Sequence, residues 1–226
     1  MGKEMRDVLA GFPGVFCQGL YCVDGNGRVV FEKKLPPKAV EASEKLAAKL
    51  NTTIIGNYED VIYGNTAGDP ALLDEVNALW GEPIPVVVNS LASDGPDTYQ
   101  KLVFMSNDVD MMRMKLRPQL EELAKRMEAT VTTSYPTILE ILPAGCSKAL
   151  GVEMLCKELE IDVATQLLSI GDAENDKGML EVAAIGVAVG NGDKVSKEAA
   201  DIVLEKRSDD GAAGLAMIHF SPLREY

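Results

Sequence analysis

From residue 143 onward, the sequence predicts a regular alternation of helices and strands. The predicted helices span 147–159, 174–182, 194–199 and 208–219, and the strands between them span 167–170, 185–189 and 201–204. Such alternation indicates βα units, whose strands lie parallel in one sheet with helices packed against it. The C-terminal part of the chain is therefore predicted to have an α/β architecture.

The preceding residues predict a different arrangement. Two apolar runs, 15–23 and 27–33, flank the sequence Asp24-Gly25-Asn26-Gly27, which is typical of a β-hairpin turn. Apolar residues recur every three or four positions over 108–127 and predict a long helix, which Pro118 could kink. The other predicted helices are 36–50 and 69–80, and the other strands are 52–56, 59–63, 85–89, 101–105, 129–134 and 137–142.

This mixed order of helices and strands indicates an α+β domain. The regular alternation of helices and strands begins after the loop Pro143-Ala144-Gly145. We therefore predict three segments. Residues 1–14 form a linker or the remnant of a core, 15–142 form an α+β domain, and 143–226 form part of an α/β core domain.

The composition and charge of the chain argue against several classes of partner and site. With 22 Lys and Arg against 35 Asp and Glu, the net charge is −13, which argues against nucleic-acid and anionic-membrane partners. No run approaches the roughly 20 apolar residues of a membrane span. Four cysteines and one histidine, His219, form no pattern typical of a zinc site or a disulfide framework. We expect a cytoplasmic protein with reduced thiols.

The strand 167–170 runs into an acidic turn that contains Asp172, Asn175 and Asp176. In parallel sheets, ligands bind beyond the carboxyl ends of the strands. Carboxylates there suit Mg²⁺, which usually takes one or two of them together with waters and substrate phosphate oxygens. The alternative is a purely structural turn, in which Asp172 or Asn175 caps the next helix.

Two more residues are predicted at the same edge of the sheet. Lys148 begins helix 147–159, where its charge opposes the helix dipole, so we expect a bound phosphate to hold it there. Asn191 lies in the Gly-Asn-Gly turn after strand 185–189, where its amide could contact a ligand. A solvated helix start is the alternative for Lys148.

Four segments together resemble the C-terminal half of a phosphatase of the haloacid dehalogenase superfamily. They are Leu-Glu-Ile-Leu-Pro-Ala-Gly-Cys-Ser-Lys at 139–148, Gly-Asp-Ala-Glu-Asn-Asp-Lys-Gly-Met-Leu at 171–180, Gly-Val-Ala-Val-Gly-Asn at 186–191 and Ala-Asp-Ile-Val at 200–203. The Cof-type sugar-phosphate phosphatases, which carry a large α/β cap, are the most similar branch. Residues 15–142 resemble that cap. The resemblance implies an α/β fold, with a partial Rossmann-like core and an α+β cap domain.

The resemblance also implies a chemistry. Family members use an aspartate nucleophile and Mg²⁺ to hydrolyse small phosphorylated metabolites. Lys148 matches the lysine that neutralises charge on the nucleophile and the phosphate. Asp172 and Asp176 match the metal-binding acidic pair, with the second residue acting directly or through water. Asn175 matches a phosphate or metal-shell contact, and Asn191 is expected to bind substrate with Lys148.

The sequence departs from the family pattern at its first two motifs. Neither Asp-x-Asp-Gly-Thr nor the following Ser or Thr motif is found upstream of the predicted cap. Cys22-Val23-Asp24-Gly25-Asn26 imitates the first motif, but its position matches a hairpin turn of the cap. The sequence thus resembles an N-terminally truncated member that is inactive as it stands. The alternative is a non-catalytic remnant that binds phosphate or a partner.

Overall fold

The computed structural model describes residues 11–65 and 68–210, which form two compact units. Among these residues, the first unit contains 11–12, Gly25–Gly27 and Glu32–Cys146. The second unit contains Pro13–Asp24, Arg28–Phe31 and the chain from Ser147 onward. The predicted α+β domain corresponds to most of the first unit, and the predicted α/β core to most of the second.

The first unit is built on a six-stranded mixed sheet in the order β6-β5-β4-β7-β9-β8. All neighbouring strands are antiparallel except β5 and β6. The strands are β4 (Thr53–Tyr58), β5 (Val61–Asn65), β6 (Val86–Val88), β7 (Lys101–Met105), β8 (Ala129–Tyr135) and β9 (Ile138–Pro143).

The helices of this unit cover the sheet because alternate strand residues point to opposite faces. One face carries Ile54, Phe104 and Ile141, which join the main core cluster with residues of α1 (Pro37–Leu50) and α4 (Arg117–Arg126). The other face carries Ile55 and Val103, which cluster with residues of α2 (Ala71–Trp80).

The predicted long helix 108–127 is divided into three parts. A short α3 (Val109–Met111) leads into a π-helical turn, Met112–Leu116, and then into α4. The N–H of Arg117 donates to the carbonyl of Met112, one residue further back than in an α-helix. Pro118 lacks an N–H and its ring would crowd a carbonyl of the preceding turn, so the wider turn occurs where the sequence predicted a kink.

The second unit contains two three-stranded sheets. One has the strand order β1 (Gly14–Phe16), β2 (Tyr21–Val23), β3 (Val29–Glu32), and β1 and β2 are antiparallel. The other is parallel, in the order β10 (Leu168–Gly171), β11 (Ile185–Ala188), β12 (Ile202–Val203). The helices of the second unit are α5 (Lys148–Glu158), α6 (Val163–Gln166), α7 (Lys177–Val182) and α8 (Lys194–Ala199). The predicted parallel α/β sheet is confirmed.

Strands β1 and β2 and all of β3 except Glu32 lie in the second unit, whereas the sequence predicted residues 15–142 as one domain. The cause is a close contact between two backbones. A Cβ on Gly19 would lie 2.0 Å from the carbonyl oxygen of Ser147, and one on Gly151 would lie 2.6 Å from the Cα of Gly19. Only glycine permits this approach, and Gly19 also has a φ of +88°.

Two further observations complete the fold. No helix in the described part of the chain is long and apolar enough to cross a membrane. The last predicted helix, 208–219, begins as a 3₁₀ turn at Ser208–Asp210, and the remainder, with His219, lies outside the described residues.

Candidate functional site

Asp176 lies at the centre of the predicted site, in a 3₁₀ turn (Glu174–Asp176) that follows β10. Its Oδ1 accepts a hydrogen bond from Lys148 Nζ at 2.6 Å. Its Oδ2 accepts the N–H groups of Asp172 at 3.0 Å and Ala173 at 3.2 Å. Gly171 makes room for this arrangement, since a Cβ there would lie 2.6 Å from the Cβ of Asp176.

The electrostatics of Asp176 follow from these contacts. Burial of the side chain, which is 4% exposed, favours the neutral acid. The hydrogen bonds from Lys148 and from the N–H groups of Asp172 and Ala173 outweigh this effect, so the pKa of Asp176 is lowered below its usual value. Asp176 is therefore a carboxylate with both oxygens engaged.

Lys148 is the first residue of α5, and the hydroxyl of Ser147 caps this helix by accepting the N–H of Leu150 at 3.1 Å. The sequence predicted that a bound phosphate holds the lysine at this dipole-unfavourable position. In the structure a group within the chain, the carboxylate of Asp176, pairs with it instead. The Lys148 side chain remains 34% exposed, so its ammonium can still reach a ligand.

Asp172 and Asn175 lie on the same turn and are exposed. Asp172 donates its N–H to Asp176, and its carbonyl accepts the N–H of Asp193 at 2.8 Å. Within residues 11–65 and 68–210, no hydrogen bond or ion pair engages its carboxylate. Of the predicted site residues on this turn, Asp172 therefore presents a free carboxylate and Asn175 presents an amide.

Asn191, predicted to bind substrate, forms two hydrogen bonds within the chain. Its Oδ1 accepts the N–H of Ser208 at 2.8 Å, and its Nδ2 donates to Ser208 Oγ at 3.1 Å. Both ends of the amide thus hold the segment that follows β12. The sequence did not predict this contact, because the partner lies 17 residues away, outside any recognisable motif. Substrate binding by Asn191 stays a prediction.

Asp193, which the sequence did not mark as a site residue, lies in the same loop as Asn191, between β11 and α8. Its carboxylate caps α8 by accepting the N–H of Ser196 at 2.7 Å. Hydrogen bonds from the N–H and the hydroxyl of Ser196, together with the N–H of Glu174, lower the pKa of Asp193. An aspartate directly before a predicted helix is a recognisable N-cap signal.

The residues present fit a magnesium ion only in part. Both oxygens of Asp176 are engaged, so of the two predicted metal ligands only Asp172 offers a free carboxylate. In the described part of the chain, no group of three or more His, Cys, Asp or Glu side chains could hold a metal. One carboxylate still suffices for Mg²⁺ where substrate phosphate oxygens and waters complete the shell.

Cys22, which stands in the segment that imitates the first motif, is not placed for nucleophilic chemistry. It lies in β2 with a fully buried side chain, and its thiol donates to the carbonyl of Gly151 at 3.4 Å. Burial raises the pKa of Cys22 to about 11, so it is a neutral thiol at neutral pH.

Comparisons with known proteins agree with this fold. A family model described as haloacid dehalogenase-like hydrolase matches residues 3–215. A solved haloacid dehalogenase-like hydrolase from Bacteroides thetaiotaomicron superposes with a TM-score of 0.81 at 23% identity, covering 96% of this chain and 81% of that one. At this identity the likeness concerns the fold.

Two relatives that match this chain in sequence are much longer than the part that matches. The chain is 30% identical over 202 residues to "Endoribonuclease YBEY, chloroplastic" of Arabidopsis thaliana, which covers 89% of this chain and 34% of that protein. It is 35% identical over 94 residues to the 5-amino-6-(5-phospho-D-ribitylamino)uracil phosphatase YcsE of Bacillus subtilis, which covers 42% of this chain and 37% of that protein. The matches thus span little more than a third of either relative.

Proposed function

This chain belongs to the haloacid dehalogenase-like hydrolase family, and on that premise we propose that it acts in Mg²⁺-dependent hydrolysis of small phosphorylated metabolites. The proposed site consists of Lys148, Asp172, Asn175 and Asp176. The Bacillus subtilis relative, whose name specifies a phosphorylated ribitylaminouracil, supports a phosphate monoester as the substrate class.

The observation that carries the proposal is the ion pair between Lys148 and Asp176 beside the carboxyl end of β10. An ammonium group has three donors, and Asp176 takes one of them. The remaining donors and the exposed part of Lys148 are available to phosphate oxygens. Asp176 acts as a positioning residue, because its own oxygens are engaged and it acts through Lys148.

The other two residues complete the binding of phosphate. Asp172 would hold Mg²⁺ together with substrate oxygens, and Asn175 would donate its amide N–H to a phosphate oxygen without adding negative charge. When bound, the metal would neutralise charge on the phosphoryl group during transfer. Lys148 contributes a second positive charge, which this site needs because the chain carries a net charge of −13.

A second candidate function is phosphate binding without transfer. The observation that favours it is the state of the site's own carboxylates. Asp176 is engaged at both oxygens, and Asp172 is the proposed metal ligand, so neither is free to attack phosphorus. Turnover would then require a nucleophile beyond these residues, as in family members with an Asp-x-Asp-Gly-Thr segment.

The experiment that tests the site is calorimetric titration of the 226-residue chain with inorganic phosphate in the presence of Mg²⁺. We expect saturable binding that Lys148→Met weakens at least tenfold and that depends on Mg²⁺. Lys125→Met, a lysine in α4 of the other unit, is the matched control and should bind like the wild type. Equal binding by the Lys148→Met variant would refute the site.

Hydrolysis distinguishes the two candidates. A chain preceded by a segment that carries the Asp-x-Asp-Gly-Thr motif should hydrolyse an aryl phosphate, and this activity should require both Mg²⁺ and Lys148. If the extended chain binds phosphate but never hydrolyses it, the non-catalytic function is the correct one.

A further inference from the structure

The loop between β11 and α8 lies directly beside the acidic turn that follows β10. The two strands are parallel neighbours, so the segments at their carboxyl ends meet at one edge of the sheet. Their pairing continues past the end of β11, where the N–H of Val189 donates to the carbonyl of Gly171 at 3.2 Å. Further along the loop, the N–H of Asp193 donates to the carbonyl of Asp172 at 2.8 Å. The backbone of Asp193 is thus fixed against the backbone of Asp172.

The side chain of Asp193 reaches the same turn. Its Oδ1 accepts the N–H of Ser196 at 2.7 Å and so caps α8. Its carboxylate also accepts the N–H of Glu174. Asp193 therefore holds the turn on both sides of Ala173, through its N–H at Asp172 and through its carboxylate at Glu174.

Two aspartates together bind the backbone of this turn. Asp176 accepts the N–H groups of Asp172 and Ala173, and its own N–H donates to the carbonyl of Ala173 at 2.9 Å. Asp193 binds the carbonyl of Asp172 and the N–H of Glu174. From the N–H of Asp172 to the N–H of Glu174, each backbone polar group therefore has one of these two aspartates as its partner.

Capping of α8 does not by itself account for these contacts. An N-cap needs one side-chain oxygen, and Ser, Thr or Asn supplies it about as well as Asp. The bonds from Asp193 to Asp172 and Glu174 lie outside α8, so they do not stabilise the start of that helix. They hold the turn that carries the proposed metal ligand.

The rigidity of this turn matters because the site is sparse. Asp172 is the free carboxylate that the site offers to Mg²⁺, so affinity depends on how well its position is fixed before the ion binds. Residues that orient a metal ligand from behind are worth about 10- to 100-fold in metal affinity.

We propose that Asp193 is a positioning residue for the Mg²⁺ site, which holds the backbone of Asp172 and Glu174 so that the Asp172 carboxylate is preorganised for the ion. The inference rests on the proposed function for the role of Asp172. The contacts between Asp193 and the turn do not depend on that function.

The first test is native-state hydrogen exchange of the ¹⁵N-labelled 226-residue chain without Mg²⁺. Asp193→Ser keeps an N-cap for α8, but its shorter side chain no longer provides an acceptor for Glu174. We expect the Glu174 amide to exchange about tenfold faster in this variant, the value of one hydrogen bond to a charged group. Asp193→Thr has the same reach and replaces the serine variant if that variant does not fold.

Glu198→Gly is the matched control. It also removes one carboxylate, and it weakens the same helix at an exposed position, because glycine is a poor helix former. Exchange of the Glu174 amide should be unchanged in this variant, since Glu198 has no contact with the turn among the described hydrogen bonds and ion pairs.

The second test is calorimetric titration of the same chains with MgCl₂. Asp193→Ser should weaken Mg²⁺ binding about tenfold, whereas Glu198→Gly should bind like the wild type. The difference should persist in about 0.5 M KCl, where the lost charge of an exposed carboxylate is largely screened. A residue that only caps α8 would not change Mg²⁺ affinity when serine replaces it.

Three results would overturn the proposal: unchanged exchange of the Glu174 amide in folded Asp193→Ser, equal Mg²⁺ affinity of this variant and the wild type, or an equal loss of affinity in Glu198→Gly. If the wild type binds Mg²⁺ and Asp193→Ser binds it equally well, this inference alone fails. If the wild type binds no Mg²⁺, the proposed function fails and this inference fails with it.

Discussion

Replacing Asp176 with asparagine would isolate the contribution of a single charge to the site. The asparagine oxygen can still accept the N–H groups of Asp172 and Ala173, which Asp176 Oδ2 accepts in the native structure. Its NH₂ group would then face the ammonium of Lys148, and two donors cannot bond to each other. The substitution therefore removes the ion pair while it keeps the shape of the turn.

The structure sets the expected magnitude. Removing one partner of a fully buried ion pair costs about 3–5 kcal/mol, because the other charge is left without compensation. Lys148 keeps 34% exposure, so water can solvate its ammonium once the pair is broken. We therefore expect the second unit to lose about 1–2 kcal/mol, close to the value of one charged hydrogen bond after solvent screening.

The pH dependence has a definite sign. The pKa of Asp176 is lower in the folded protein than in the unfolded chain, so its contribution is fully present above the unfolded value of about 3.9. The contribution is lost as the pH falls through the folded pKa. The stability difference between wild type and Asp176→Asn should stay constant from pH 7 down to about pH 5 and shrink below about pH 4.

Native-state hydrogen exchange of the β10 and β11 amides measures this difference within the second unit, without assuming that both units unfold together. Asp172→Asn is the matched control, since the exposed carboxylate of Asp172 has no partner among the described residues, and it should change stability by less than about 0.5 kcal/mol. If both variants exchange like the wild type, or if Asp172→Asn is the more destabilised, the assignment of Asp176 as the residue that holds Lys148 is refuted.

Three other predictions follow from the site and the hairpin. Calorimetry should show weak Mg²⁺ binding that Asp172→Asn abolishes, and equal binding by both chains would contradict the role of Asp172. The 226-residue chain should hydrolyse an aryl phosphate no faster than its Lys148→Ala variant, because Asp176 is engaged at both oxygens and Asp172 is the proposed metal ligand. Robust Mg²⁺-dependent turnover would show that one of the described residues acts as the nucleophile. Gly19→Ala should destabilise the second unit by about 3–5 kcal/mol in urea unfolding, since its Cβ would meet the carbonyl of Ser147. The control Gly27→Ala has a similar positive φ but open space around its Cβ, and it should lower the free energy of unfolding by only about 1–2 kcal/mol. Equal losses of unfolding free energy in the two variants would mean that the close contact is unimportant.

The sequence predicted most helices and strands because apolar periodicity follows directly from the geometry of each element. Strand β7 and helix α8 have the predicted bounds, and most other elements differ by one or two residues. The long helix before residue 127 was less simple, because the π-helical turn Met112–Leu116 preserves the apolar pattern on either side of it. Periodicity alone cannot register a single widened turn.

Predictions about the site were best where the partners are close in the chain. Asp172, Asn175 and Asp176 come together because they share one turn. The partner of Lys148 lies 28 residues away, and the position of a lysine at a helix start indicated a bound phosphate rather than the carboxylate of Asp176. The sequence around Asn191 did not indicate its contact with Ser208, because a polar side chain in a turn can contact either a ligand or the chain itself.

The hairpin at β1–β3 shows why domain membership was harder to predict than secondary structure. Alternating apolar residues and an Asp-Gly turn predict a hairpin, but they do not tell which surface it packs against. That choice depends on the contact between Gly19 and Gly151, two glycines 132 positions apart that carry no side chain and so leave no periodic signal. Because the contact depends on the lack of two side chains, a methyl group at Gly19 should disrupt the second unit while the secondary-structure pattern of the sequence remains unchanged.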